Sequence, residues 1–125
     1  MKDYRNIRAW QKAHQLVLAI YRISENFPPK EMYGLTSQLR RAAMSIPTNI
    51  AEGYGRSTDT EIARFIDISL GSANEVEYLL LLSADLKYTG HEDAQRLFEK
   101  VIEVRKMLTV FAKTLRASNP KAGSR

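Results

Sequence analysis

HEDAQRLFEKVIEVRKMLTVFAKTLRA, residues 91–117, sets Ala94, Leu97, Val101, Val104, Leu108, Phe111 and Leu115 at alternating steps of three and four. That spacing lays one apolar stripe along a helix whose other faces are charged, a pattern that is stable only when the stripe is buried against partners. Glu92 and Asp93 stand at the expected start, where carboxylates suit the positive end of the helix dipole. The helix so predicted runs from His91 to about Ala117.

The preceding segment has the same character. Thr58 followed by Glu61 reads as a capping box. Ile62, Phe65, Ile66, Leu70, Ala73, Val76, Leu79 and Leu80 continue the period to Leu86, and Gly90 offers a stop. Around Leu79–Leu82 the stripe is too broad for the inner face of one small bundle, so Leu79, Leu81 and Leu82 are expected at a contact between subunits. Ser69, Gly71, Ser72 and Ala73 form a small-residue surface. Gly71 costs roughly 1 kcal/mol of helix propensity, which close packing against an earlier helix or a neighbouring subunit would offset.

Further upstream, Leu35, Leu39, Ala42, Ala43, Ile46 and Ile50 predict a helix from about Glu31 to Gly53. Pro47 lies inside it, lacks an N–H and crowds the carbonyl four residues back, so a kink is expected near Met44–Ile46. Trp10, Ala13, Val17 and Ile20 mark the first helix, which begins near Ile7 and ends before Pro28-Pro29. Breaks at 28–30, 53–57 and 88–91 are short, and short breaks favour antiparallel neighbours. The expected fold is all-α, an antiparallel up-down-up-down four-helix bundle over residues 1–117, with 118–125 as a flexible basic tail.

A chain of 125 residues suits one domain. It has no cysteine, which removes disulfides, thiol nucleophiles and iron–sulfur ligation. Residues 1–10 lack the apolar stretch of a secretory signal, and no segment approaches the ~20 apolar residues that span a bilayer, so a cytoplasmic protein without a membrane span is expected. His14 and His91 are the two histidines, and neither has a second ligand one turn away. Gly53-Tyr54-Gly55-Arg56-Ser57 has the glycines of a phosphate loop but not its lysine or spacing, and it follows a helix rather than a strand. No catalytic, metal or cofactor site is predicted, and the chain reads as a non-enzyme.

Charge is segregated along the chain. Residues 1–56 hold nine basic and four acidic side chains, 57–93 two and eight, and 96–125 eight and two. Two readings follow. In one, opposite fields pair helices within or between subunits. In the other, an exposed basic stripe meets an acidic polymer, with Arg40, Arg41, Arg56, Arg105, Lys106, Lys113 and Arg116 as phosphate contacts. Arg41, Ser45, Asn49 and Glu52 share a helical face. Asn49 and Ser45 are expected to satisfy the carbonyl that Pro47 frees, and Arg41 to pair with a carboxylate of the third helix.

Ala9-Trp10-Gln11-Lys12-Ala13, Phe27-Pro28, Tyr33-Gly34-Leu35, Gln38-Leu39-Arg40-Arg41-Ala42-Ala43, Ser45-Ile46-Pro47, Asn49-Ile50-Ala51-Glu52-Gly53 and Gly71-Ser72 occur in an order and spacing that resembles the proteins of intervening sequences in bacterial 23S ribosomal RNA genes. The Asn-Ile-Ala-Glu-Gly run after a double arginine is the most specific of these. Asn74-Glu75-Val76-Glu77-Tyr78 is near but not identical to the family pattern. The resemblance implies a four-helix bundle that assembles into a ring, commonly a pentamer. The chain is also similar to the accessory variability determinant of diversity-generating retroelements, a basic pentameric bundle that binds nucleic acid and a reverse transcriptase. Two functions follow as expectations: a homo-oligomer that binds RNA or DNA through phosphates, or a structural scaffold for a protein partner.

Overall fold

Two prolines and a glycine set the first boundary. The computed structural model describes residues 2–118, which form α1 (Arg8–Ser24), α2 (Leu35–Tyr54), α3 (Asp59–Asp85) and α4 (His91–Ala117), with 3₁₀ turns at Tyr4–Asn6 and Pro29–Glu31. The second helix starts at Leu35, four residues later than its period predicts. Pro28-Pro29 opens a tight turn instead, and Glu31 is used there as a cap. One carboxylate oxygen of Glu31 accepts from the Leu35 N–H at 3.2 Å, and the other accepts from the Tyr88 hydroxyl at 2.9 Å. That hydrogen bond, followed by burial, holds the Tyr88 phenol above the usual tyrosine range.

The third helix opens as its sequence predicts, with Thr58 Oγ1 accepting from the Glu61 N–H at 3.2 Å. Its end differs from the expectation. The stop lies at Lys87, whose φ of 64° is left-handed, and Gly90 is instead the N-cap of α4 with an extended backbone. The Lys87 N–H reaches Ala84 O at 2.9 Å and the Tyr88 N–H reaches Ser83 O at 2.9 Å, which satisfies carbonyls of the last turn. A lysine in that conformation costs about 1–2 kcal/mol, against about 0.5–1 kcal/mol of chain entropy lost by a glycine. Lys87→Gly is therefore expected to raise the unfolding free energy by about 0.5–1 kcal/mol in urea melts. An unchanged or lowered midpoint would contradict the strain.

Cross-helix pairs give the topology. Arg40 meets Ser24 and Met44 meets Tyr21; Gln38 meets Glu75 and Ser45 meets Ser72; Glu77 meets Arg105 and Asp67 meets Arg116. In each pair of helices one number rises as the other falls, so neighbours are antiparallel. α1 packs on α2 and α4, and α3 packs on the same two, which leaves α2 and α4 at opposite corners.

Leu16, Ile20, Leu39, Ile46, Ile50, Ile66, Val76, Leu80, Val101, Val104 and Leu108 are fully buried at the centre. α2 and α3 approach closely through small residues. Ser69 Oγ donates to Ile46 O at 2.9 Å, and a side chain on Gly53 would meet Phe65. α2 runs unbroken through Pro47. Asn49 does not reach the carbonyl that Pro47 releases, which is that of Ala43. Its amide donates to Ser45 O at 2.8 Å and to Ser45 Oγ at 3.0 Å, because a side chain four residues on reaches back along its own row. Ser118, expected in the tail, has its Oγ within hydrogen-bond reach of the Asp59 carboxylate and of Leu115 O, to either of which its one hydrogen can donate; the rest of that segment lies outside the described residues.

Candidate nucleic-acid interface

The seven basic side chains singled out in the sequence do not form one surface. Arg40 is half-buried and turned inward, with Nε donating to Ser24 Oγ at 2.8 Å and its guanidinium over the Tyr21 ring at 4.6 Å. Arg56 stacks on Phe65 at 4.7 Å and pairs with Glu52 at 3.5 Å. Arg105 is bound to Glu77 and to Asn74 Oδ1, the latter at 3.4 Å. Arg116 grips both oxygens of Asp67, and this hydrogen bonding keeps its guanidinium above the usual arginine value. The α3 carboxylates that make the middle of the sequence acidic are thus partly taken up by basic residues of α4.

Three of the seven remain free of such contacts among the described residues: Arg41, Lys106 and Lys113. Arg41 lies on α2, in a groove of about 530 Å³ against α3, which it shares with Tyr33, Ser37 and Glu75. It makes no ion pair there, contrary to the expected bond to α3; Glu75, the carboxylate of that groove, accepts from the Gln38 amide at 3.5 Å. Lys106 and Lys113 stand two turns apart on the exposed side of α4, flanking the exposed Val110. Since α2 and α4 are diagonal, Arg41 and the two lysines face different ways.

The neighbour that brings further basic residues beside α4 is α1, against a stretch of α4 that also carries Glu92, Asp93, Glu99 and Glu103. Residues 8–24 contain no carboxylate, and neither do residues 104–118. Lys12 pairs with Glu103 at 3.6 Å, which fixes the antiparallel register. By that register Arg8, one turn back, comes level with Met107, and at the other end Arg22 lines a recess with Asp93, Arg96 and Lys100. Sequence reasoning missed Arg8, Arg22, Arg96 and Lys100, although the acid-free run from Arg8 to Ser24 was a visible signal. Only the pairing of α1 with α4 gives it meaning.

The proposed oligomer contact is also redistributed. Leu79 is 4% exposed and belongs to the bundle core, Leu82 is half-buried, and Leu81 is 48% exposed. Leu81 lies beside Tyr78 and Phe98 in a shallow groove between α3 and α4. A side chain on Gly71 would touch nothing within 4 Å, so packing inside the chain does not account for this glycine.

Among the described residues, no three or more His, Cys, Asp or Glu side chains gather to hold a metal ion. No described helix is long and apolar enough to cross a membrane. His14 lies flat on Trp10, with ring centroids 5.0 Å apart.

The sequence over residues 5–110 matches the family described as 23S rRNA-intervening sequence protein. The chain belongs to this family. The 23S rRNA-intervening sequence fold is also seen in a crystal structure from Bacteroides thetaiotaomicron, a protein of unknown function from the S23 ribosomal protein family. That structure superposes with a TM-score of 0.78 at 22% identity, covering 89% of this chain and 99% of the other. At that identity the likeness speaks for the fold alone. No curated protein matches the chain.

Proposed function

We propose that this 23S rRNA-intervening sequence protein is a non-enzymatic, cytoplasmic homo-oligomer that binds RNA or other nucleic acid through its phosphates. The observation that carries the reading is the pair Lys106 and Lys113, exposed on an α4 segment without carboxylates while Arg105 and Arg116 neutralise α3. Such contacts bind without sequence preference and release counterions. Each gives a log–log salt slope of about −0.7 on a single strand and −0.9 on a duplex.

Lys106→Glu/Lys113→Glu is expected to weaken RNA binding at low salt by roughly 10-fold or more and to flatten the salt slope by more than one unit. Fluorescence anisotropy against a salt series reads both. Affinity that is insensitive to salt, or unchanged in the variant, would overturn the phosphate reading. The alternative is a protein scaffold, and the exposed Tyr78 and Leu81, together with the open space over Gly71 elsewhere on α3, favour it. In either reading, copies of the chain meet through the outer face of α3, with Leu81 and Leu82 in the contact, in a ring that the resemblance makes a pentamer. Light scattering after size exclusion tests this, and a clean monomer would refute it.

A further inference from the structure

At the far end of the α1/α4 face from Lys113 lies a recess of about 310 Å³. Its floor is apolar, made by Ala19 and Ile23 of α1 and Leu97 of α4. Its rim carries Arg22, Arg96 and Lys100 against a single carboxylate, Asp93. Arg22 and Lys100 have no hydrogen-bond or ion-pair partner among the described residues. Arg96 is held only loosely, 3.8 Å from Asp93 and 3.8 Å from Glu92. The other recesses differ. The groove holding Arg41 balances it with Glu75, one beside Trp10 is lined by Glu52 without Lys or Arg, that beside Leu81 has Glu77 alone, and one adjoining the recess sets Glu99 and Glu103 against the same Arg96 and Lys100.

Arg22 and Lys100, both without a partner among the described residues, offer two positive charges to one anion, more than a phosphodiester, with its single charge, requires. The pair matches a phosphomonoester, which carries about −1.5 to −2 at neutral pH. The apolar floor suits the sugar and base attached to such a group. Lys106 and Lys113 lie about 9 and 20 Å further along α4 by helical rise, and six residues turn Lys106 about 120° around the helix from Lys100, so a strand anchored in the recess reaches them by crossing the outer face of α4.

Resting on the phosphate-binding reading above, we infer that the Arg22–Arg96–Lys100 recess holds the terminal phosphate of a single-stranded RNA, whose backbone then follows α4. The chain would in that case distinguish phosphorylated from hydroxyl ends while ignoring sequence.

The test compares short mixed-sequence RNAs bearing a 5′-phosphate, a 3′-phosphate or hydroxyl ends, at low salt, by anisotropy. One phosphorylated end is expected to bind about 10-fold more tightly or better, as charge-assisted hydrogen bonds to guanidinium permit. Arg22→Gln/Lys100→Gln should erase that preference while hydroxyl-ended RNA still binds. Both side chains are exposed, so circular dichroism should show an unchanged fold. Equal affinity for all ends would overturn the recess and leave the Lys106/Lys113 row standing. Loss of all RNA binding in Lys106→Glu/Lys113→Glu, with end preference absent from the wild type, would likewise overturn the recess alone. Failure of the wild type to bind any of the RNAs would overturn both proposals. A phosphoserine peptide that displaces end-phosphorylated RNA at matched concentration would reassign the recess to a phosphoprotein and overturn the RNA assignment.

Discussion

Gly53→Ala is expected to destabilise the bundle by about 2–3 kcal/mol, although alanine is the better helix former by about 1 kcal/mol. An added methyl carbon would stand 2.4 Å from Phe65 Cβ and 3.0 Å from Phe65 Cγ. A rotamer change can move Cγ but not Cβ, which is fixed to the α3 backbone and makes the closer contact. The helices must part at the end of α2, and Phe65 moves with Arg56 stacked on it. The strain therefore outweighs the propensity gain. Urea denaturation of Gly53→Ala, Phe65→Ala and the double variant checks it. Because alanine at 65 keeps Cβ, the closer clash persists in the double variant, and the two changes should couple by much less than the full cost of Gly53→Ala. A Gly53→Ala protein as stable as the parent would mean that α2 and α3 are farther apart than described. Gly71→Ala is the internal control: with open space around it, the change should be neutral or gain up to about 1 kcal/mol in the single chain.

Leu108→Ala should cost about 2–5 kcal/mol, from lost transfer energy plus the cavity left in a core that collapses only partly. Leu108 is fully buried and is one of six buried residues on which α4 depends for attachment. Small domains hold about 5–15 kcal/mol in all, so this one change removes a large share. Because α4 carries Lys106 and Lys113, binding should fail with unfolding rather than before it. Thermal melts followed by circular dichroism and RNA anisotropy on the same samples should give coincident transitions. A loss below 1 kcal/mol would contradict the burial.

The helices and their order were readable because each buried stripe is encoded in a local period, as in Ala94 to Leu108. The capping pair Thr58 and Glu61 was equally local. What the sequence did not disclose depends on contacts distant in the chain. Glu31 caps α2 because the turn after Pro28 brings its carboxylate to Leu35 and because Tyr88, 57 residues on, fixes its other oxygen. Lys87 takes the left-handed place that Gly90 seemed to offer, since hydrogen bonds from Lys87 and Tyr88 end α3 earlier. The candidate interface was less legible still. A basic residue in a string does not reveal whether a carboxylate faces it across a groove, and that separates Arg105 and Arg116 from Lys106 and Lys113. Leu79 and Leu81 look alike in the run 79–82, yet helical phase sends one inward and the other out.

The diagonal placement of α2 and α4 separates two of the polar grooves described above. The α1/α4 recess and the Arg41 groove between α2 and α3 share no lining residue, and each lies between a different pair of helices. Occupants of the two would not exclude one another. Any influence of one upon the other would have to be relayed through the close-packed interior of Leu16, Ile46, Val76 and Val104, which belongs equally to both halves. To a first approximation the two surfaces are thermodynamically independent, so filling one leaves the affinity of the other unchanged.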